Sequence, residues 1–187
     1  MTRFVIGISG ASGSIYGVQL LKRLQERPEV ESHLIVTRAG EKTLHQETGL
    51  RISDIKGMAS YWHSIDEIGA SIASGSYPVE GMVVAPCSIN TLSAIAGGMT
   101  SNLLIRAADV TLKEHRRLIL MVRESPLHLG HLRSMVAVAE IGAIVAPPLP
   151  AFYSKPQTLE DAVDQSVCRV LDLLGLPEPG VKRWQGC

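Results

Sequence analysis

The chain has 187 residues, 45% of them hydrophobic and 19% charged, with a formal net charge of +0. That is enough apolar chain for one sizeable core, and it leaves no basic surplus for nucleic acid or an anionic membrane. Aromatic residues make up 4%, too few for a base-stacking platform, and no run reaches the roughly 18 apolar residues of a membrane span.

The first informative stretch is Phe4 to Tyr16, F-V-I-G-I-S-G-A-S-G-S-I-Y. A short apolar run to Ile8 predicts a strand, and a glycine-serine loop follows. Val18, Leu20, Leu21 and Leu24 then predict an amphipathic helix, so this is the opening of an α/β nucleotide-binding unit. The glycines Gly7, Gly10 and Gly13 are spaced G-x-x-G-x-x-G, unlike the dinucleotide pattern G-x-G-x-x-G. Ser9, Ser12 and Ser14 add hydroxyls, and the N–H groups of the helix start favour an anion.

Ser32 to Thr37 predicts a second strand. It ends Val36-Thr37-Arg38, without the acid that takes ribose hydroxyls in NAD-binding folds; Arg38 reads as a solvated charge. Ala39 to Thr48 predicts a helix whose last turn carries Glu47, where the helix dipole disfavours an acid. Residues 51–78 show little periodicity, and Ile72 to Pro78 is rich in turn residues. Gly81 to Ala85 is a further strand, followed by Ser88, Asn90 and Thr91 at a helix start. Cys87 lies there too, but without a histidine nearby in sequence it reads as a buried small residue.

Asn102 to His115 predicts a helix with Arg106, Asp109 and Lys113 on one face, either a salt-bridged stripe or a cationic face for an anion. Leu118 to Val122 is a strand ending in Arg123-Glu124. The helix from Leu129 to Ile141 has His131 near its start and His128 just before it, spaced for a metal but with no third ligand, so capping or surface roles are expected. Ala143 to Ala146 is the last strand, and a proline-rich loop presents Phe152 and Tyr153. A cap box at Thr158 and Asp161 opens a helix running to Leu174 and carrying Arg169. Trp184, in the tail, calls for a cover from another subunit or a pocket. Cys87, Cys168 and Cys187 are odd in number and scattered, which reads as reduced thiols in a cytoplasmic protein.

Short apolar strands alternating with helices predict a single three-layer α/β/α domain over residues 1–187, Rossmann-like or flavodoxin-like, with a parallel sheet. Right-handed crossovers collect the loops at one rim, where Arg106, Lys113, Arg123 and Arg169 are expected, with Arg38 nearby. Two unit charges 4 Å apart interact by about 4 kcal/mol at an effective dielectric of 20, so such a cluster predicts phosphorylated small-molecule ligands.

In order along the chain, G-I-S-G-A-S-G, A-S-G-S, P-C-S-x-x-T-L-S, R-A-A-D-V-x-L-K-E, R-E-x-P-L-H-L-G-H-L, P-A-F-Y-x-x-P and R-W-Q-G resemble the UbiX-like flavin prenyltransferases of the flavin-containing cysteine decarboxylase superfamily. The resemblance spans Phe4 to Gly186. It implies transfer of a dimethylallyl group from dimethylallyl phosphate to reduced FMN, without a metal, and delivery of prenylated FMN to a UbiD-type decarboxylase. Carried over by position, Gly10, Ala11, Ser12, Thr37, Ser88, Ile89, Asn90, Thr91 and Arg123 bind FMN. Ser74, Gly75, Arg106, Lys113, Glu124, Tyr153 and Arg169 surround the prenyl phosphate. Ser12, Glu47, Lys113 and Glu124 are the catalytic candidates. A homo-oligomer, a dodecamer, is also implied, with the site at subunit contacts and the tail 175–187 at one of them. Thr37 and Ser125 depart from the commoner residues of the family, and Ile68 lies where some members have an aromatic. The competing readings are an FMN-dependent cysteine decarboxylase, which needs a histidine base, and a non-catalytic flavin carrier.

Overall fold

The computed structural model describes residues 1–179, 181–184 and 186. Six parallel strands form one sheet: β1 (Thr2–Ile8), β2 (Val30–Val36), β3 (Tyr61–His63), β4 (Gly81–Cys87), β5 (Arg117–Val122) and β6 (Ile144–Val145). Their order is β3-β2-β1-β4-β5-β6, that of a dinucleotide-binding sheet. With the three-residue edge strand β3 set aside, the remaining order is that of a flavodoxin. The crossover direction reverses between β1 and β4, and this switch point positions the site.

Central strands are buried on both faces, as a parallel sheet requires. Phe4, Ile6 and Ile8 of β1 join Val83, Ala85, Ile119 and Met121 on one face. Val5 joins Met82, Val84, Leu118 and Leu120 on the other. The first face is covered by α1 (Ser14–Gln25), α2 (Arg38–Thr48), α3 (Ile52–Lys56) and α7 (Leu159–Leu174). The second is covered by α4 (Ile89–Ala96), α5 (Leu103–Lys113) and α6 (Leu129–Glu140). Val18, Leu20, Leu21 and Leu24 are all buried, as the periodicity of α1 predicts. The cap box at Thr158 and Asp161 is present.

Two elements escape the periodicity of residues 51–78. α3 has five residues and β3 three, too short for either period to register. β3 is held by pairing with β2, His33 against Tyr61 and Ile35 against His63. Among the described residues no helix is long and apolar enough to cross a membrane. The readings of Cys187 as a reduced thiol and of Gln185 within R-W-Q-G lie outside the described residues.

Candidate functional site

Three helices begin around one cleft. Thr37 caps α2, its hydroxyl accepting from the Gly40 N–H at 2.9 Å. Ser88 caps α4 and accepts from the Thr91 N–H at 3.3 Å, and the Asn102 carbonyl caps α5 by accepting from the Ile105 N–H at 3.1 Å. The cleft between these starts has a volume of about 530 Å³, and Gly10, Thr37, Ser88, Asn90, Thr91 and Asn102 line it. It opens at the switch point, where ligands bind in open α/β sheets. Three positive helix ends directed at one cleft make it a site for an anion such as a phosphate. The Ser9 hydroxyl ties the floor together, donating to the Pro86 carbonyl at 2.7 Å while accepting from the Ser88 N–H at 2.7 Å.

The start of α1 behaves differently. The Glu47 carboxylate accepts from the Gly13 N–H at 2.9 Å, the Ser14 N–H at 3.0 Å and the Ser14 hydroxyl at 2.7 Å. The anion at this helix start is therefore a side chain of the chain itself, and the acid unfavourably placed at the end of α2 is favourably placed at the start of α1. Gly13 permits this arrangement because it caps α1 with φ 104°, a conformation that L side chains rarely adopt. Burial pushes the Glu47 pKa up, but the Ser12 and Ser14 hydroxyls and the Gly13 and Ser14 amides outweigh it and hold the carboxyl below its ordinary range. Ser12, Glu47, Tyr16 and Arg123 line a second, larger cleft of about 930 Å³. The glycine loop stands between the two clefts, with Gly10 facing one and Ser12 the other. Among the described residues no histidine lines either cleft.

The remaining candidates do not gather there. α5 runs back along the sheet, so Lys113, at its last residue, lies about 10 Å along the helix axis from Arg106, toward the edge where β5 begins. Arg106 donates to the Ala73 carbonyl at 3.3 Å and pairs with Asp109 at 2.7 Å, while Lys113 pairs with Glu114. Ser74 and Gly75 lie against this end of α5. A Cβ at Gly75 would overlap the Glu114 carboxylate and come within 2.7 Å of Lys113 Nζ, and Arg116 holds the Gly75 carbonyl at 2.8 Å. A third group forms around α7, where Tyr153, Arg169 and Trp184 line a cleft of about 300 Å³. The Tyr153 and Trp184 rings meet edge-on at 5.8 Å.

The expectation that Arg106, Lys113, Arg123 and Arg169 share one rim is therefore corrected for a single chain at Lys113 and Arg169. Only Arg123 follows a strand end; Arg106 lies in the first turn of α5, next to the cleft-lining Ile105, while Lys113 ends that helix and Arg169 lines the cleft at α7. The salt-bridged reading of the α5 stripe describes the isolated chain. Glu124 is exposed, and its carboxylate accepts from the Ser125 N–H at 3.0 Å. Ala11 lies on the loop beside Ser12, and Ile89 opens α4 with its side chain against the core. Arg38 is solvated at 78% side-chain exposure and pairs with Asp66. Cys87 is buried, and burial pushes its thiol up to about 12, as expected of a packing residue. His128 caps α6, its ring nitrogen accepting from the Gly130 N–H at 3.0 Å. Sequence reasoning did not assign Asn102, Ile65 and Asp66 to the cleft; the signal for Asn102 was its N-cap position.

A family profile described as Flavoprotein matches residues 1–167. Over 98% of this chain and 94% of the relative, the sequence is 54% identical to a flavin prenyltransferase UbiX of Thauera aromatica. The crystal structure of AnUbiX (PadA1) in complex with FMN and dimethylallyl pyrophosphate superposes with a TM-score of 0.96 at 44% identity, over 100% of this chain and 98% of that one. A dodecameric FMN-dependent UbiX-like decarboxylase from Escherichia coli O157:H7 superposes with a TM-score of 0.96 at 43% identity, over 99% of this chain and 100% of that one.

Proposed function

The chain belongs to the Flavoprotein family, and from that premise we propose that it is a flavin prenyltransferase, joining the dimethylallyl group of dimethylallyl phosphate to reduced FMN. The full-length similarity to a flavin prenyltransferase carries this reading. The cleft at the switch point supports the flavin part, because hydroxyls and three helix starts suit a phosphate at one end of a ligand.

Gly10, Ala11, Ser12, Thr37, Ser88, Ile89, Asn90, Thr91 and Arg123 hold FMN in this reading. When bound, reduced FMN supplies an electron-rich ring that takes the dimethylallyl group at N5 and closes a ring at C6. Ser74, Gly75, Arg106, Lys113, Glu124, Tyr153 and Arg169 hold the donor. Breaking its allylic C–O bond leaves negative charge on phosphate, which Lys113, Arg106 and Arg169 stabilise. Glu47, Glu124 and Ser12 handle protons; Glu47, held ionised, is suited to accept one at neutral pH rather than give one. Orienting both substrates supplies much of the acceleration, and no residue here is assigned to a metal.

The three residue groups lie on separate parts of one chain, so the complete site is assembled from several copies, with the tail 175–187 at a contact. A dodecamer like that of the Escherichia coli O157:H7 relative is the proposed assembly. The product serves a UbiD-type decarboxylase in the cytoplasm.

The test is anaerobic incubation with reduced FMN and dimethylallyl phosphate, and in parallel with the pyrophosphate. The expected result is a flavin heavier by one dimethylallyl group together with free phosphate. An unmodified flavin with both donors overturns the proposal.

A further inference from the structure

A buried polar cluster lies beside the flavin cleft, on the β2–β3 edge, and none of the roles above uses it. His33, 2% exposed, sits on β2 between the rings of Tyr61 and His63, with centroids 5.0 Å and 5.2 Å away. Its Nε2 faces the Glu31 carboxylate at 3.1 Å. The same oxygen accepts from Arg3 Nε at 2.7 Å and from the Tyr77 hydroxyl at 3.1 Å. A carboxylate is an acceptor only, so His33 Nε2 carries the proton and the other ring nitrogen of the neutral ring is bare. That nitrogen, Nδ1, lies 2.9 Å from His63 Nε2, which must therefore donate. His63 Nδ1 is left facing Glu67 at 3.9 Å.

The bridge reaches the cleft through the chain. Two residues after His63, the Ile65 carbonyl accepts from the Leu103 N–H at 2.9 Å, which ties it to the first residue of α5. Ile65 and Asp66 line the flavin cleft together with Thr37 and Ser88. β3 has only three paired residues and a neighbour on one side, so the imidazole bridge at its last residue adds to the Ser32–Ser60 ties just before its first.

We propose that His33 and His63 are a positioning pair: their bridge fixes the edge strand from which Ile65 and Asp66 form the cleft wall, and the wall loosens when acid charges both rings and leaves two N–H groups face to face. The inference rests on the flavin reading of the cleft. Burial holds both rings neutral, against the pull of Glu31 on His33 and of Glu67 on His63. Arg3, Glu31, Glu67, Tyr61 and Tyr77 are the charged and titratable groups facing them from β1, β2, β3 and the two loops. Because both histidine pKa values are lowered by folding, the stabilisation is present above the ordinary histidine value and fades as pH falls through the lowered ones.

The experiment is FMN titration of the assembled protein between about pH 5 and 8, with wild type, His63→Phe and His63→Gln. His63→Phe keeps an aromatic ring against His33 but cannot donate; about tenfold weaker binding at neutral pH is expected, with a flatter pH dependence. Ionisation of the FMN phosphate is common to all three proteins and cancels in the comparison. His63→Gln restores a donor that does not titrate, and should recover affinity while keeping the flat profile. Equal affinities and parallel pH profiles for wild type and His63→Phe overturn the proposal. A wild type that binds no FMN at any pH overturns the flavin reading itself, and this inference with it. Hydrogen exchange on the wild-type protein without flavin gives a second readout that needs no variant. Protection of the Leu103 amide should fall with acid while that of Ala143, bonded to the Val138 carbonyl at 2.9 Å, holds. Equal responses at the two amides count against the pair.

Discussion

At the scale of single residues, Glu47 shows how a side chain can look misplaced in its own helix and be required by another. Its folded pKa is lowered from 4.5, so its stabilisation is present above that value and is lost as pH falls through the folded one. Glu47→Gln should destabilise the protein by about 1 kcal/mol at neutral pH, the lower part of the helix-cap range because the side chain is exposed. In urea melts, the gap between wild type and variant should close below pH 4.5. Gly75 makes the opposite case, a residue whose missing side chain matters. In Gly75→Ala the new methyl must displace the Glu114 carboxylate and disturb Lys113. Both are ends of flexible side chains, so stability should change by less than about 0.5 kcal/mol. Steady-state kinetics should nonetheless show a raised KM for the prenyl donor with FMN affinity unchanged. Neither contact is legible in the sequence, because each partner lies more than thirty residues away.

At the scale of elements, caps and periodicities were legible and short pieces were not. The apolar spacing of α1 and the Thr158 cap box are local patterns, each complete within a few residues. β3 and α3 exist because neighbouring elements hold them, and no local pattern records that. Ser88 shows what a legible cap contributes. Its hydroxyl serves the Thr91 N–H and lies 3.1 Å from the Thr91 hydroxyl, at a helix start open to the cleft. Ser88→Ala should cost about 1 kcal/mol in unfolding experiments. It should also weaken FMN binding in a fluorescence titration, while Ser88→Thr, which keeps the hydroxyl, should do neither. A Ser88→Ala protein that lost stability but kept its FMN affinity would leave this residue a cap alone.

At the scale of the whole molecule, one chain leaves an apolar face uncovered. α6 buries only Val138 among its residues, and Leu129, Leu132 and Val136 on it are exposed at 45–59%, with Phe152 at 79%. An apolar helix face of that extent marks a contact, and the motifs gave no account of it because a periodicity reports which face is apolar and not what covers it. The same limit explains the split cation set: Arg106, Lys113, Arg123 and Arg169 are visible in the sequence, and only the fold shows Lys113 at the far end of α5 and Arg169 in a separate cleft. If copies complete one another's sites, Arg123 and Lys113 of a working site come from different chains. Lys113→Ala and Arg123→Ala proteins should each be nearly inactive alone. Unfolded together in equal amounts and reassembled, they should regain activity, since a site drawing one of these residues from each of two chains is intact in about a quarter of random pairings. Turnover measured on the remixed protein should approach that fraction of wild type, and mixing without unfolding should give less. If remixed chains stay as inactive as the separate variants, both residues belong to one chain's site and the shared-site reading fails.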